Sequence, residues 1–181
     1  MKTNKYPICK RYKGNPILTS KDFPAEADIK AVFNSGIVKY KDIYMMVCRV
    51  ENSALLDRFW IAESKDCYHF KPRPKPIDMP HDDPEFKKYA FSMYYDPRVT
   101  KIGDMYYILH AAHSGHTCRL SLVKTKDFQQ FQWMGFISET DNRNGVLFPE
   151  KINGLYARLD RPNTGDDTGD IWVSYSPDLV F

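Results

Sequence analysis

The chain has 181 residues, of which 43% are hydrophobic and 14% are aromatic. This composition suffices for one sizeable core and argues against disorder. Its 26 basic and 23 acidic residues give a net charge of +3 and form no runs, so nucleic acid and anionic membrane surfaces are not expected partners. We therefore expect a small or neutral ligand.

The sequence predicts neither a signal peptide nor a membrane span. Residues 1–16 contain no apolar core, and no segment approaches the ~18 apolar residues of a membrane helix. The cysteines Cys9, Cys48, Cys67 and Cys118 are scattered without a C-x-x-C pair, so we expect reduced, mostly buried thiols rather than a zinc site or a disulfide framework. These features predict a cytoplasmic protein.

In chain order, the predicted elements form a unit that occurs three times. Each unit opens with a hairpin in which a Lys precedes a Tyr by five positions, across a Lys-Asp, Gly-Asp or Asn-Gly turn. The pairs are Lys39 and Tyr44, Lys101 and Tyr106, and Lys151 and Tyr156. Alternating apolar and aromatic residues follow each Tyr and predict strands.

A second shared feature ends each unit. Ser or Thr, one further residue and Asp follow an apolar strand at Ser64 and Asp66, Thr125 and Asp127, and Ser176 and Asp178. Ser, Thr and Asp side chains accept hydrogen bonds from nearby backbone N–H groups and reverse the chain. We therefore predict a turn at each of the three positions.

A repeat of hairpins with almost no helix signal is typical of β-propeller blades. The predicted fold is all-β, with approximate blades at 30–70, 92–131 and 144–181, an N-terminal extension at 1–29, and one incomplete domain over 1–181. Propellers close at roughly four to eight blades, so three repeats predict an open propeller. A β-sandwich with similar hairpins is the alternative.

Asp96 is the first candidate for chemistry. It lies where an aromatic loop enters the first strand of the second repeat, and Pro97 is expected to hold it in an extended conformation. An acid among Phe91, Tyr94 and Tyr95 could stay protonated and act as a general acid. The alternative is that the Asp-Pro pair simply begins a strand.

Two arginines form the second candidate. Arg143 lies in the predicted loop that enters the third repeat, and Arg161 follows the Tyr156 strand. Guanidinium groups match phosphate oxygens in pairs, so two that converge would form an oxyanion site. The alternative is a pair of exposed surface arginines.

The first repeat contributes polar groups, and the second contributes histidines. Asn34, Ser35, Gly36 and Arg49 flank the leading hairpin and could bind sugar hydroxyls, or could serve only as turn residues. The histidines of HAAHSGH, at 110–116, have a spacing that spreads their side chains over different sides of a strand. We therefore predict no metal site and no cofactor.

With these residues in place, the chain resembles glycoside hydrolase family 130, the β-mannoside phosphorylases and related β-mannosidases. The matching segments are collinear and cover nearly the whole chain. They are NPIL (15–18), FNSG (33–36), CRVEN (48–52), YDPRVTKIGDMYY (95–107), LFPEKINGLY (147–156), RLDRP (158–162) and DIWVSYSPDL (170–179). The resemblance implies a five-bladed propeller, of which this chain holds about three blades.

The resemblance also implies site roles. Asp96 matches the proton donor, which acts through the mannose 3-hydroxyl, and Arg143 and Arg161 match the arginines that hold inorganic phosphate. Mannosyl-binding residues are matched by Asn34, Ser35 and Arg49, and more loosely by Arg58.

The implied reaction is inverting phosphorolysis of β-1,4-mannosyl saccharides, with phosphate as co-substrate and mannose 1-phosphate as product. Phosphate is already an anionic nucleophile, so cationic groups can replace the general base that an inverting hydrolase needs. A β-mannosidase, another five-bladed hydrolase, and a non-catalytic sugar-binding remnant are the alternatives. Exposed blade edges could also pair two copies, and we expect the short chain alone to have impaired activity.

Several positions depart from the family pattern. Many members have Glu-Asp-Pro-Arg and Asn-Pro-Gly where this chain has Tyr95 before Asp96 and Ser35 between Asn34 and Gly36. These differences leave the acid and arginine matches in place, but they leave the sub-class, and hence the acceptor sugar, open.

Overall fold

The computed structural model describes residues 9–55, 57–79, 83–89, 93–163 and 169–180. Within these ranges the chain is built almost entirely of antiparallel strands, which confirms the all-β prediction. No helix in the described part is long and apolar enough to cross a membrane.

The strands form three sheets in chain order. The first sheet holds β1 (Ile29–Tyr40), β2 (Ile43–Asn52), β3 (Asp57–Ser64) and β4 (Lys71–Pro72). The second holds β5 (Met93–Ile102), β6 (Met105–His113), β7 (Cys118–Thr125) and β8 (Gln132–Phe136). The third holds β9 (Asn142–Leu147), β10 (Tyr156–Pro162) and β11 (Trp172–Ser176). Within each sheet, every strand pairs with the next along the chain, and the described sheets do not close into a ring.

Short helical segments lie outside the sheets. The 3-10 turns Ser20–Asp22 and Ala25–Ala27 precede β1. The helix α1 (Pro84–Tyr89) links the first two sheets and buries Phe86 against Trp133 and Phe136. These segments cover sheet faces rather than forming a layer of their own.

The three predicted turns after β3, β7 and β11 have the same geometry. In the second sheet, Thr125 Oγ1 accepts hydrogen bonds from the backbone N–H groups of Asp127 (3.3 Å) and Phe128 (2.9 Å). Ser64 and Ser176 accept the equivalent bonds in the other two turns. The residue after each Asp has a positive φ: Cys67 at 65°, Phe128 at 58° and Leu179 at 76°. The turn prediction is therefore confirmed.

The hairpin turns are also confirmed. Two residues, Lys41 and Asp42, separate β1 from β2, and Gly103 and Asp104 separate β5 from β6. In the third repeat, Asn153 and Gly154 have φ of 52° and 82° between the bridged residues 152 and 155. Asn and Gly tolerate this left-handed conformation better than other residues do.

The core lies in the spaces between the sheets. Met45, Phe59, Ile108 and Phe128 pack between the first and second sheets. Leu109, Leu120, Leu147 and Leu179 pack between the second and third. The opposite face of the first sheet packs against the N-terminal segment through Leu18, Phe23 and Trp60. The positive-φ residues of the three outer turns, Cys67, Phe128 and Leu179, thus each also fill one of these clusters.

The first strands of the three sheets lie side by side. β1 contacts β5, and β5 contacts β9. A Cβ atom at Gly36 would lie only 2.7 Å from the backbone N of Val99, so glycine permits the close approach of β1 to β5. Between β5 and β9, Thr100 Oγ1 donates a hydrogen bond to the carbonyl of Leu147 at 3.2 Å. The first strands therefore form a continuous row across the three sheets.

Candidate functional site

A bulge interrupts the first strand of every sheet. Two residues of the first strand face one residue of the second strand at each bulge, because the register shifts between the flanking pairs. In the order of the sheets, Phe33 and Asn34 face Arg49, Asp96 and Pro97 face His110, and Asn144 and Gly145 face Asp160. Bulges redirect side chains out of the regular pleat and are common beside active sites. Candidate residues from all three sheets sit at these bulges.

Asp96 adopts an uncommon backbone conformation at its bulge. Its φ is 55°, in the left-handed region that side-chain-bearing residues rarely occupy. The prediction that Pro97 holds Asp96 extended is therefore wrong, because the bulge geometry overrides the local preference. Such strained positions occur often at functional sites.

The surroundings of Asp96 also differ from the predicted aromatic setting. Its carboxylate Oδ1 lies 3.7 Å from Nη1 of Arg49, and the Asp96 side chain is 18% exposed. Tyr94 instead packs into the core against Phe59 and His110, and the predicted neighbour Phe91 lies outside the described residues. Cationic and polar groups rather than a purely aromatic pocket contact the carboxylate.

Asn144 connects Asp96 to one of the two arginines. The orientation of its amide that satisfies both neighbours places its nitrogen 3.0 Å from Oδ2 of Asp96. Its oxygen then lies 3.3 Å from Nε and 3.2 Å from Nη2 of Arg161. Like Asp96, Asn144 occupies the first position of its bulge and has a positive φ, 58°. One amide thus links the candidate acid to the candidate anion site.

The two arginines face each other across a pair of strands. Arg143 lies within β9 rather than in the predicted loop, and Arg161 lies within β10 rather than after it. The two residues are direct partners in the β9 and β10 register. Like charges directly opposite on a sheet repel each other. An anion between them would relieve that repulsion.

Asp141 forms an ion pair with Arg143. Its Oδ2 accepts a hydrogen bond from Nη2 of Arg143 at 2.9 Å, and its Oδ1 accepts one from the backbone N–H of Cys118 at 3.2 Å. Asn163 donates to the same carboxylate at 3.3 Å. Only one of the five N–H donors of Arg143 is used in this pair, so other donors can reach an anion.

Tyr95 lies close to Arg143 and Cys118. Its hydroxyl donates to the sulfur of Cys118 at 3.4 Å. Burial, with a smaller contribution from this contact, raises the pKa of Tyr95. Burial also raises the pKa of the Cys118 thiol. Both groups are therefore neutral at physiological pH, and they form an uncharged wall next to Arg143.

The mannosyl-binding candidates of the first sheet divide into two environments. Arg49 contacts Asp96, as described above, and the rings of Phe33 and Tyr95. Phe33, Asn34 and Ser35 line a groove of about 730 Å³ between β1 and the N-terminal segment. The structure thus brings Arg49 to Asp96. Asn34 and Ser35 lie on β1, beside Arg49 of the neighbouring strand β2.

Arg58 is not brought together with the other candidates. It pairs with Val50 in the ladder, whereas its neighbour Phe59 pairs with Arg49. Because side chains alternate between the two faces of a strand, Arg58 faces away from Arg49. It lines a separate groove of about 280 Å³ with Glu26, Trp60 and two prolines.

The histidines and cysteines form no metal centre among the residues that the structure describes. His110 is buried beside Phe59 and Tyr94, and Nδ1 of His113 accepts a hydrogen bond from the backbone of Gly115 at 2.9 Å. All four cysteines are free, but only Cys48 and Cys118 are fully buried, fewer than the sequence predicted.

Sequence reasoning did not single out Asn144 or Asp141. The pair Asn144 and Gly145 has the composition of a hairpin turn, which conceals its role in a bulge. Its position directly after Arg143 could have identified Asn144 as a candidate site residue.

Comparison with known proteins identifies relatives of the whole chain. The family model described as β-1,4-mannooligosaccharide phosphorylase, that of glycoside hydrolase family 130, matches residues 1–181. The β-1,2-mannobiose phosphorylase of Listeria innocua is 41% identical over 120 residues, which are 66% of this chain and 32% of the relative. The β-1,4-mannooligosaccharide phosphorylase of Ruminococcus albus is 31% identical over 179 residues, 94% of this chain and 52% of the relative. The chain thus spans about half or less of these two relatives.

Solved structures of mannoside phosphorylases and other glycoside hydrolases are also similar to this chain. A β-1,2-mannobiose phosphorylase from Listeria innocua, solved with β-1,2-mannobiose, superposes with a TM-score of 0.80 at 27% identity over 94% of this chain and 63% of that one. A thermostable family-43 glycoside hydrolase has a TM-score of 0.64 at 15% identity over 83% of this chain and 50% of that one, which shows a shared fold only.

Proposed function

The chain belongs to glycoside hydrolase family 130, and we propose that it carries the acid and part of the phosphate site of a β-mannoside phosphorylase. The observation that carries this proposal is the bridge from Asp96 through Asn144 to Arg161, which faces Arg143. A proton donor and an anion site must lie close together for phosphorolysis, because one substrate bond is made as another breaks.

The proposed reaction balances without a cofactor. An oxygen of inorganic phosphate attacks the anomeric carbon of the terminal mannosyl unit, and the bond from that carbon to the glycosidic oxygen breaks. The leaving oxygen receives the proton that Asp96 supplies. The products are mannose 1-phosphate with inverted configuration and a saccharide shortened by one unit.

The arginine pair takes the place that a base has in an inverting hydrolase. A hydrolase needs a second carboxylate to activate water, whereas phosphate is already negatively charged. Guanidinium groups hold phosphate through paired, charge-assisted hydrogen bonds. Arg143 and Arg161 therefore favour phosphorolysis over hydrolysis for this chain.

The gap between Arg49 and Asp96 suits a sugar hydroxyl. Their 3.7 Å separation is longer than a direct hydrogen bond, so a hydroxyl beside both groups could accept one hydrogen bond from Arg49 and another from the protonated carboxyl of Asp96, while its own proton points to the leaving oxygen. The resemblance to the family assigns such a hydroxyl, the mannose 3-hydroxyl, to proton delivery.

We also propose that the three sheets are three blades, near 30–70, 92–131 and 144–181, of a five-bladed propeller. The side-by-side first strands and the longer relatives support this interpretation. The relatives' names include both β-1,4 and β-1,2 linkages, so the proposal covers β-mannosides of either linkage. Free cysteines fit the predicted cytoplasmic location.

A second copy of the chain is the proposed partner for the edge strand β11. Trp172, Val173 and Tyr175 are each about half exposed, on both faces of the strand, and residues 172–176 include no charge or proline to discourage pairing. Sedimentation should show a dimer that Val173→Lys converts to a monomer. A wild-type monomer at all concentrations would contradict this pairing.

The activity test uses β-1,4-mannobiose and β-1,2-mannobiose with and without phosphate. We expect little turnover by the chain alone. A chimera that appends the remaining residues of the Ruminococcus albus relative should form mannose 1-phosphate only with phosphate present, and Asp96→Asn should lower the rate by about 10²- to 10⁴-fold. Mannose release without phosphate would instead identify a hydrolase.

A further inference from the structure

Phe33 is an exposed aromatic residue that the proposed mechanism does not use. Its side chain is 41% exposed, although a large apolar ring normally favours burial. It occupies the bulge of β1 directly opposite Arg49. A bulge can aim a side chain at a point that a regular strand would not reach.

The guanidinium of Arg49 is the group that this ring meets. Its central carbon lies 4.6 Å from the centre of the Phe33 ring and 5.1 Å from the centre of the Tyr95 ring. Both distances are within the range of cation–π attraction. The two rings come from β1 and β5, and Arg49 itself comes from β2, so three strands determine where the guanidinium lies.

We propose that Phe33 is a positioning residue that holds Arg49 in the orientation needed beside Asp96. This inference rests on the proposed role of Arg49 in binding the mannosyl unit. An arginine side chain has several rotatable bonds, and fixing it in advance spares that entropy when a ligand binds.

The 3.7 Å gap gives this positioning a purpose. Guanidinium and carboxylate groups readily form two parallel hydrogen bonds when nothing restrains them. Such a pairing would occupy the Asp96 oxygens and exclude a sugar hydroxyl. Stacking on Phe33 holds Arg49 near the acid without letting it close onto the acid.

The first readout is the Nε–Hε NMR signal of Arg49 in the full chain, without ligand. An aromatic ring beneath a guanidinium shifts this signal upfield. We expect an upfield signal in the wild type that Phe33→Leu and Phe33→Met move downfield, toward the position of the other arginines, with part of the shift kept because the Tyr95 ring remains. Phe33→Tyr should preserve the shift, because it keeps the ring.

The matched control is Ile37→Ala. Ile37 lies on the same strand and is also 41% exposed, so its loss tests for a general effect on β1. It should leave the Arg49 signal in place. An Arg49 signal that is unmoved in both Phe33→Leu and Phe33→Met, with native chemical-shift dispersion, would overturn the proposal.

The second readout is the affinity for methyl β-mannoside. Phe33→Leu should weaken binding about tenfold, which is typical for losing one well-placed contact, whereas Phe33→Tyr and Ile37→Ala should not. If the wild-type chain fails to bind methyl β-mannoside but Phe33→Leu makes the Arg49 side chain more mobile in 15N relaxation, the positioning role stands and the proposed sugar site of the isolated chain fails. Weakened binding with an unmoved signal would contradict positioning.

Discussion

The outer turns and the first-strand bulges that face Arg49, His110 and Asp160 both recur in all three sheets, yet they differ in what they preserve. The turns keep the same residue types, hydrogen bonds and backbone conformation in all three sheets. The bulges keep only the register shift, while their residues change from Phe33 and Asn34 to Asp96 and then to Asn144. The turns, which keep the same residues in each repeat, thus serve the stability of the fold. The bulges, whose residues differ between repeats, hold the candidate site residues.

The largest expected effect tests the turns. Phe128 is fully buried and packs against Tyr40 and Tyr106, so Phe128→Ala should lower the free energy of unfolding by about 3–5 kcal/mol. Denaturant titration measures this loss. If the turns serve only the fold, the variant should bind phosphate as the wild type does under conditions where it is folded.

The next effect tests the anion site. Arg161→Ala should weaken binding of inorganic phosphate by about 1.5–3 kcal/mol, the contribution typical of a hydrogen bond to a charged group. Calorimetric titration measures it, and Lys101→Ala, which removes one exposed positive charge from β5, provides the control. Equal losses in the two variants would point to net charge rather than a defined site.

A smaller effect separates the backbone of Asn144 from its amide. Asn144→Gly keeps a residue that tolerates the φ of 58°, so it should be close to neutral for stability. Asn144→Ala should cost about 1 kcal/mol more, because alanine is strained in this region. Both variants should weaken phosphate binding, since neither can connect Asp96 to Arg161. Retained binding in both would remove Asn144 from the site.

The smallest effect concerns pH. Backbone N–H groups of Gln130 and Gln129 hold the pKa of Asp127 below its ordinary value near 3.8. A folded-state pKa below the unfolded value stabilises the fold above about pH 4, and that contribution is lost as the pH falls through the folded value. Asp127→Asn keeps an acceptor oxygen but removes the titrating carboxyl. The melting temperature of this variant should therefore fall less than that of the wild type between about pH 5 and pH 2. An unchanged profile would contradict the assignment.

More of the fold than of the site could be predicted from the sequence. The turns depend on Ser, Thr and Asp side chains that bond within three residues, so a local pattern suffices. The bulges depend on register between strands, which local patterns do not encode. This is why Pro97 gave a wrong expectation for Asp96, and why Asn144 was missed.

Arg58 illustrates a second limit. Alternation along β3 decides which face its side chain occupies, and a loose match to a family motif carries no such information. The assignment of Arg58 to the mannosyl site stays a prediction.

Titration of the full chain with inorganic phosphate, followed by NMR, tests the central claim most directly. The account predicts saturable shifts at the side chains of Arg143, Arg161 and Asn144, with smaller shifts at Asp96. Shifts confined to other basic residues, such as Arg11, which lines the groove between β1 and the N-terminal segment, would contradict it, as would the absence of saturation at the two arginines.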